Sequence, residues 1–261
     1  MELANRVVVI TGASSGIGAA LAREFVAAGA RVALAARSAD KLRALAAELG
    51  AEKTLTVPTD VTDPQQTDRL VARTVERFGG IDVLINNAGQ GLYGRLEDTD
   101  WEHSRRMWEV NFFGLLRLTR AALPHLRERR GTIVNVSSVA GKVSLPYMGD
   151  YCATKFALNA FSNALRMELA REGVRVVVVC PGPVKTRFHA SAYREGQLPG
   201  VYGLGRKRYE GVSAQRVARA TRRALRGGKR EIIVPWWLRL FVGFRALFPG
   251  FTDRMLVRIF R

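Results

Sequence analysis

The chain has 261 residues, of which 48% are hydrophobic and 25% charged; this predicts a folded globular protein and excludes wholesale disorder or a disulfide-stapled miniprotein. Its two cysteines and three scattered histidines exclude a disulfide framework and a metal site of the usual structural kind. The net charge of +18 is concentrated in residues 185–261, where 18 Lys and Arg face 4 Asp and Glu, and a surface of this sign attracts phosphates, anionic lipid head groups, nucleic acid or acidic proteins.

Short β-branched runs alternate with alanine- and leucine-rich stretches along the chain. Most of these runs are apolar throughout, which is typical of strands covered by helices on both faces of a sheet. The alternation predicts an α/β fold in a single domain, with a doubly wound parallel sheet of about seven strands flanked by helices. The predicted strands are Arg6–Thr11, Arg31–Arg37, Thr54–Asp60, Ile81–Asn86, Thr132–Ser137, Val174–Cys180 and Glu231–Val234.

A glycine-rich turn follows the first predicted strand, with the sequence Thr-Gly-Ala-Ser-Ser-Gly-Ile-Gly at residues 11–18. A helix is predicted to begin near Gly16. Glycines at such a turn let backbone amides approach a pyrophosphate at the helix N-terminus. Three glycines alone are a weak signal, and a purely structural turn stays open as an alternative. The order of strand, turn and helix favours a dinucleotide site.

The second predicted strand ends in Arg37 rather than in an acidic residue. An acid at this position would hold the ribose 2′-hydroxyl of NAD, whereas an arginine suits the 2′-phosphate of NADP through a charge-assisted hydrogen bond. A solvated arginine at the end of a strand is the other interpretation. Arg37 therefore favours NADP(H) as the cofactor, with NAD as the alternative.

Tyr151 and Lys155 are four residues apart on a predicted helix, so their side chains share one face. A tyrosine has a pKa of about 10, and a neighbouring cation lowers it toward the range of an acid–base catalyst. Ser138 follows the fifth predicted strand and is placed to donate a hydrogen bond to a carbonyl oxygen as negative charge develops. Tyrosine and lysine at this spacing occur by chance in many helices, so the pair by itself is a weak signal.

With these features the chain resembles the classical short-chain dehydrogenase/reductase family over nearly all of residues 5–234. The resemblance implies a Rossmann-like domain over residues 1–234 that binds a dinucleotide and carries the catalytic site. Each motif is common by itself, but their order and spacing together are specific. The motifs are the turn at 11–18, Asn86-Asn87-Ala88-Gly89 after the fourth strand, Asn111 in the segment 110–114, Ser138, Tyr151, Lys155, and Pro181-Gly182 after the sixth strand.

The resemblance also implies a role for each matched residue. Tyr151 would be the general acid in carbonyl reduction and the base in alcohol oxidation, and Lys155 would lower its pKa and hydrogen-bond the nicotinamide ribose. Ser138 would polarise the carbonyl, and Asn111 would hold a water in a proton relay. The implied cofactor-binding residues are Gly12, Ser14, Ser15, Gly16, Ile17, Gly18, Arg37, Asp60, Val61, Asn87, Ala88, Gly89, Tyr151, Lys155, Pro181, Gly182, Val184 and Thr186.

The resemblance implies an NADP(H)-dependent oxidoreductase that interconverts a carbonyl and a secondary alcohol and reduces a hydrophobic ketone or 3-oxoacyl substrate. Relatives that prefer NADP often carry a second basic residue inside the glycine turn. This chain has Ser14 and Ser15 there, so Arg37 has to discriminate largely alone. The alternatives are an NAD-dependent alcohol or steroid-type dehydrogenase of the same family and a non-catalytic dinucleotide sensor. The sequence shows no recognised nucleic-acid module, so no nucleic-acid partner is expected.

Two regions depart from the alternation of strands and helices. Residues 183–212 are predicted to be a substrate lid loop, and the basic, aromatic segment 202–209 within it suits either a phosphate-bearing acyl thioester or solvent. Residues 235–261 are predicted to be a C-terminal amphipathic helical extension with arginines beside an apolar stripe. This extension is expected to cover the substrate cleft, to pack on another subunit or to contact an anionic membrane.

The stretches 98–130 and 151–172 correspond to the helices that pair subunits in many relatives, which implies a homodimer or homotetramer. No run of about 18 apolar residues is present, and the N-terminal apolar stretch is too short for a signal peptide. A cytoplasmic location is therefore expected, with peripheral membrane association where the C-terminal extension binds lipid. Cys152 and Cys180 are interpreted as packing residues.

Overall fold

The computed structural model describes residues 1–200 and 211–260, and a parallel sheet of seven strands forms its centre. The strands of this sheet lie in the order β11-β7-β6-β4-β1-β2-β3, and the other four form two short parallel pairs, β10 with β8 and β5 with β9. The strands are β1 (Val7–Thr11), β2 (Arg31–Ala36), β3 (Thr54–Pro58), β4 (Val83–Asn86), β5 (Leu92–Tyr93), β6 (Thr132–Val136), β7 (Arg175–Pro181), β8 (Val184–Lys185), β9 (Tyr193–Arg194), β10 (Val212–Ser213) and β11 (Glu231–Val234).

Helices cover both faces of the sheet, as the uniformly apolar strands predict. Along β1, Val8 and Ile10 face one hydrophobic cluster and Val9 faces the other, because successive side chains of a strand point to opposite sides. The helices are α1 (Gly16–Ala27), α2 (Ala39–Leu49), α3 (Pro64–Phe78), α4 (Trp101–Trp108), α5 (Gly114–Glu128), α6 (Gly149–Glu168), α7 (Ala214–Arg226), α8 (Leu238–Leu247) and α9 (Pro249–Ile259).

The seven predicted strands are confirmed, although several end earlier than predicted. β2 stops at Ala36 and β3 at Pro58, so Arg37 and Asp60 lie just beyond the strands that were expected to contain them. Helix α3 begins at an Asp-Pro pair, where the Asp63 carboxylate accepts a hydrogen bond from the backbone N–H of Gln66 at 3.2 Å.

The stretch 98–130 is not one regular helix. A π-helical segment, Glu109–Phe113, separates α4 from α5 and contains Asn111. The glycine that follows is sterically required: a Cβ on Gly114 would lie 2.5 Å from the carbonyl oxygen of Val61. The helix therefore changes from α- to π-helical winding where it passes the loop after β3. Functional residues often lie in such π-helical segments.

The C-terminal extension forms α8 and α9, with Pro249 in the first turn of the second helix. Within residues 1–200 and 211–260, no helix is long and apolar enough to cross a membrane. Of the predicted lid, residues 183–200 and 211–212 are described, whereas the basic segment 202–209 lies outside the described residues.

Candidate active site

Four neighbouring strands of the parallel sheet, β7, β6, β4 and β1, deliver their carboxyl ends to one edge. The segments that follow them are the glycine turn, Asn87–Gly89, Ser138 and Gly182. In a sheet of this type ligands bind outside the carboxyl ends of the strands. The topology therefore gathers the motifs of the sequence into one candidate site.

In the glycine turn the backbone passes very close to other parts of the turn and to Asn87 and Ala88. Gly12 and Gly16 have φ values of +63° and +54°, which favour glycine over other residues. A Cβ on Gly18 would lie 2.2 Å from the carbonyl oxygen of Gly12 and 2.7 Å from Nδ2 of Asn87. Each of the three glycines is needed for the path of the chain from β1 into α1.

Thr11 joins the turn to the end of β4. Its hydroxyl oxygen accepts hydrogen bonds from the backbone N–H groups of Asn87 at 2.9 Å and Ala88 at 3.0 Å. The Asn87 side chain in turn donates to the carbonyl oxygen of Thr11 at 2.9 Å. In the sequence Thr11 is only the first residue of the motif, whereas in the structure it positions Asn87 and Ala88.

A groove of about 710 Å³ opens beside the turn, and its walls suit a phosphate-bearing ligand. Ser15 is the N-cap residue of α1, yet its side chain caps no backbone group, and the first turn of α1 carries no acid. The opposite wall is formed by Lys185, Thr186 and Arg187. The backbone N–H groups at the N-terminus of α1 lie on one side of the groove and the basic side chains lie on the other. This combination suits the pyrophosphate of a dinucleotide.

Three basic residues line this groove beside the serines of the turn. Lys185 and Arg187 are exposed and form no ion pair within residues 1–200 and 211–260. Arg23 also lines the groove, but its guanidinium is held by both carboxylate oxygens of Glu48 at 2.7 Å. Lys185 and Arg187 were not predicted from the sequence, although both flank the predicted binding residue Thr186.

The structure places two predicted adenine-end residues at the ends of neighbouring strands. Arg37 is exposed immediately after β2. Both carboxylate oxygens of Asp60 are engaged, one by the hydroxyl of Thr62 and the other by the guanidinium of Arg106. Burial works against ionisation of Asp60, but its hydrogen bonds with Thr62 and Arg106 outweigh this effect and lower its pKa. Asp60 is thus an anionic anchor between β3 and α4.

Tyr151 lies in the first turn of α6 and is almost completely buried. Burial raises its pKa well above the usual range, while a hydrogen bond from the Ser138 hydroxyl works in the opposite direction. The Ser138 oxygen also accepts the backbone N–H of Ala140 at 3.0 Å, which fixes its orientation. The phenol and the serine hydroxyl are therefore brought together as predicted.

Lys155 lies one helical turn after Tyr151 and is buried as well. Its ammonium group donates to the carbonyl oxygen of Val136 at 3.1 Å and lies 5.8 Å from the centre of the Tyr151 ring. Burial lowers the pKa of Lys155 to about 8. Burial is the largest influence on the pKa of Tyr151, and the expected lowering of that pKa by Lys155 stays a prediction.

Asn111 is buried, and its amide is used entirely within the protein. Its Oδ1 accepts the backbone N–H of Gln90 at 2.8 Å, and its Nδ2 donates to the carbonyl oxygen of Gln90 at 2.9 Å and to Thr154 at 3.1 Å. The side chain ties the loop after β4 to the π-helical segment and to α6. The water-holding role that the resemblance implies for Asn111 stays a prediction.

The segment after β7 crosses above the glycine turn. The Thr186 side chain lies 3.2 Å from where a Cβ on Gly16 would be, and its hydroxyl accepts the backbone N–H of Phe188 at 3.3 Å. Val184 pairs with Val212 in the short β8–β10 ladder. These contacts hold Pro181–Thr186 against the groove, where the nicotinamide-end residues were predicted.

Three aromatic residues near Tyr151 were missed by the sequence analysis. The Phe188 ring lies 5.8 Å from the Tyr151 ring. The Tyr93 hydroxyl is hydrogen-bonded to Nδ1 of His189, whose pKa is lowered by burial and by the charge of Arg194. Phe188 and His189 lie two and three positions after the predicted binding residue Thr186, so their position in the predicted lid was the available signal. Tyr93 carries no comparable sequence signal, because the pairing of β5 with β9 brings it to the site.

The two thiols are buried beside these groups. Burial raises the pKa of Cys152, and it raises the pKa of Cys180 to about 12. A buried thiol with a raised pKa is a poor nucleophile. Both residues act in packing, in agreement with the sequence interpretation.

Comparison with known proteins identifies the family. The model of the family described as short chain dehydrogenase matches residues 6–196. The chain belongs to the short-chain dehydrogenase/reductase family. One similar relative is Dehydrogenase/reductase SDR family member 7B of Bos taurus, with 38% identity over 263 residues that cover 97% of this chain and 80% of the bovine protein.

Solved structures of the family differ in the dinucleotide they contain. A short-chain dehydrogenase/reductase from Burkholderia phymatum in complex with NAD is 26% identical, with a TM-score of 0.85 and coverage of 97% of this chain and 96% of that one. A short-chain dehydrogenase from Burkholderia cenocepacia in complex with NADP is 29% identical, with a TM-score of 0.83 and coverage of 98% and 99%. A nicotinamide dinucleotide is therefore the cofactor class of this family member, an oxidoreductase of small carbonyl or alcohol substrates.

Proposed function

We propose that this enzyme is an NADP(H)-dependent reductase of a hydrophobic ketone or 3-oxoacyl substrate. The observation that carries the proposal is the buried phenol of Tyr151, hydrogen-bonded to Ser138 and one helical turn before Lys155. A bound nicotinamide dinucleotide supplies the hydride, and the protein supplies orientation and the proton.

The electrostatics of Tyr151 suit the role of proton donor in carbonyl reduction. A phenol whose pKa is raised by burial keeps its proton near neutral pH, as a general acid must before it donates to the carbonyl oxygen. Ser138 donates a second hydrogen bond to the same oxygen as negative charge develops. The Lys155 ammonium stabilises the phenolate that remains once the proton has left Tyr151.

The cofactor preference is proposed from the distribution of positive charge. Arg37 is exposed at the end of β2, where a 2′-phosphate of NADP would find a charge-assisted partner. Lys185 and Arg187 line the groove beside the glycine turn and favour the pyrophosphate that NADP and NAD share. Arg37 is therefore the residue on which discrimination depends.

The hydrophobic character of the substrate is proposed from the residues around the phenol. Tyr151 belongs to a buried cluster whose other members include Leu92, Val143 and Met148, and Phe188 packs against it. Apolar walls of this kind leave the Tyr151 and Ser138 hydroxyls to orient a ketone. A homodimer or homotetramer remains a proposal based on the family resemblance, and a cytoplasmic location remains a proposal based on the sequence.

The proposal is tested by titrating the protein with NADPH and with NADH while the fluorescence of each cofactor is followed. We expect tighter binding of NADPH, and we expect Arg37→Asp to weaken NADPH binding while leaving NADH binding unchanged or stronger. Equal affinity for both cofactors in the unmodified protein would contradict the NADP assignment.

The acid–base role has its own test. Tyr151→Phe should lower kcat for ketone reduction by about 10²- to 10⁴-fold, because the proton donor is lost. NADPH affinity should change little. Full turnover in this variant, measured with a ketone panel, would contradict the proposed role of Tyr151.

A further inference from the structure

The C-terminal extension exposes most of the large apolar side chains found on the surface of the described residues. Of the fourteen exposed large hydrophobic side chains in residues 1–200 and 211–260, nine lie between positions 236 and 259. Single exposed apolar residues are ordinary, whereas a concentration of this kind marks an interaction surface. The nine are Trp236, Trp237, Leu240, Phe244, Leu247, Phe248, Phe251, Val257 and Ile259.

The opposite side of the same two helices is already used by the fold. Leu238 in α8 and Leu256 in α9 are buried. Phe241 and Val242 pack against the cluster that contains Tyr151, and Leu256 is a member of it. The inward side of the extension therefore forms part of the active-site wall, and its outward side is not needed for that packing.

The outward face of α8 is continuous. Leu240, Phe244 and Leu247 follow the spacing of four and three residues that places side chains on one side of a helix. At the turn between the helices, the Phe244 ring lies 5.1 Å from the Phe248 ring and 5.8 Å from the Phe251 ring. The exposed rings thus extend the apolar face of α8 to the start of α9.

Positive charge borders this apolar face. Arg239, Arg254 and Arg258 are exposed and form no ion pair within the described part of the chain. The single acid of residues 235–261 is Asp253, which pairs with Arg245 at 3.1 Å. A second copy of this chain would bring like charges together on this face without acidic partners. An anionic lipid surface supplies both the negative charge and the apolar layer.

We propose that the outward face of α8 and α9 docks on the surface of an anionic lipid bilayer. Helices of ten and eleven residues are about 15 Å long, half the thickness of the hydrocarbon layer, so they lie along the interface rather than across it. Tryptophan and phenylalanine reach the acyl boundary while the arginines meet lipid phosphates. Resting on the function proposed above, docking places the active-site wall beside lipid, where a lipophilic ketone is dissolved.

The test is co-sedimentation of the full-length protein with phosphatidylcholine vesicles, with and without phosphatidylglycerol. No substrate or turnover is needed, so a failure here is separate from a failure of the proposed reaction. We expect binding to the anionic vesicles and a blue shift of tryptophan emission on binding. Arg254→Glu combined with Arg258→Glu should remove the preference for phosphatidylglycerol.

The decisive comparison separates this face from the general positive charge of the chain. Leu247 and Met167 are 75% and 73% exposed, and Met167 lies toward the far end of α6 from Tyr151. Leu247→Asp should weaken vesicle binding about ten-fold, whereas Met167→Asp, with the same change in charge, should alter it less than about two-fold. NADPH binding in both variants reports that the fold is intact.

Two results would overturn the proposal. One is equal vesicle binding by the Leu247→Asp and Met167→Asp variants, which would show that net charge alone attracts the protein. The other is a dimer that Leu247→Asp converts to a monomer in light scattering while the unmodified protein ignores anionic vesicles. That outcome would assign the face to a second copy of this chain.

Discussion

Leu238, the first residue of α8, rests directly on Gly182 in the segment after β7. A Cβ at position 182 would lie 2.4 Å from Cδ1 of Leu238. The backbone of Gly182 also donates to the carbonyl oxygen of Val234 at 2.8 Å. The C-terminal extension is therefore coupled to the segment proposed to hold the nicotinamide end of the cofactor.

This contact predicts a rescue experiment. Gly182→Ala should push Leu238 aside and weaken NADPH binding several-fold. Leu238→Ala should restore much of the affinity in the double variant, because it removes the atom that the new methyl group meets. Fluorescence titration of the two single variants and the double variant measures the coupling. Strictly additive losses would show that the two residues act independently.

Lys155 predicts the pH dependence of reduction. Its ammonium form is the one that stabilises a phenolate at Tyr151, and burial lowers its pKa from 10.5 to about 8. We therefore expect kcat/KM for ketone reduction to be level below about pH 7 and to fall as pH rises through about 8. A profile that stays level to about pH 10 would contradict this role.

The same shift makes a prediction about stability. Between about pH 8 and 10.5 the unfolded chain holds a proton on Lys155 that the folded chain has released. The contribution of Lys155 to the free energy of unfolding should therefore rise with pH across this window. Urea unfolding of the unmodified protein and of Lys155→Met, compared across the window, isolates the contribution.

The basic residues of the groove predict a loss of affinity that is the same for NADPH and NADH. Lys185→Ala combined with Arg187→Ala should weaken NADPH and NADH equally, by about ten-fold, because the two side chains adjoin the pyrophosphate side of the turn. Lys229→Ala, an exposed change in the turn before β11 at the opposite edge of the sheet, serves as the control. A loss confined to NADPH would instead assign the pair to the 2′-phosphate.

The hydrogen bonds of Asn111 predict that removing its side chain lowers the stability of the protein. Asn111→Ala leaves both backbone groups of Gln90 without their side-chain partner and removes one of the two hydrogen bonds of the Thr154 hydroxyl, and we expect it to lower the free energy of unfolding by about 2 to 3 kcal/mol. Asn163→Ala, an exposed change on α6, should cost less than about 0.5 kcal/mol. Urea denaturation compares them, and equal effects would argue against this anchoring role.

The local sequence determines the parallel sheet, the glycine turn and the shared helix face of Tyr151 and Lys155. Runs such as Val7–Ile10 are apolar at every position, which requires burial on both faces, and the helical stretches between them leave a parallel sheet as the consistent arrangement. Tyr151 and Lys155 share a helix face because of their spacing alone. The glycines of the turn are likewise readable, since they mark positions where a side chain has no room.

Only the tertiary structure decided where distant segments meet and which charge effect prevails. Lys185 and Arg187 line the same groove as the glycine turn because β7 ends at the same edge of the sheet as β1. The two segments are about 170 positions apart along the chain, so no local sequence pattern predicts that they meet. The direction of the pKa shift of Tyr151 depends on burial by neighbours from several elements, which outweighs the hydrogen bond from Ser138. One side of α8 is buried and the other is exposed for the same reason. The packing of the whole fold, and not the sequence of the helix, decides which side is covered.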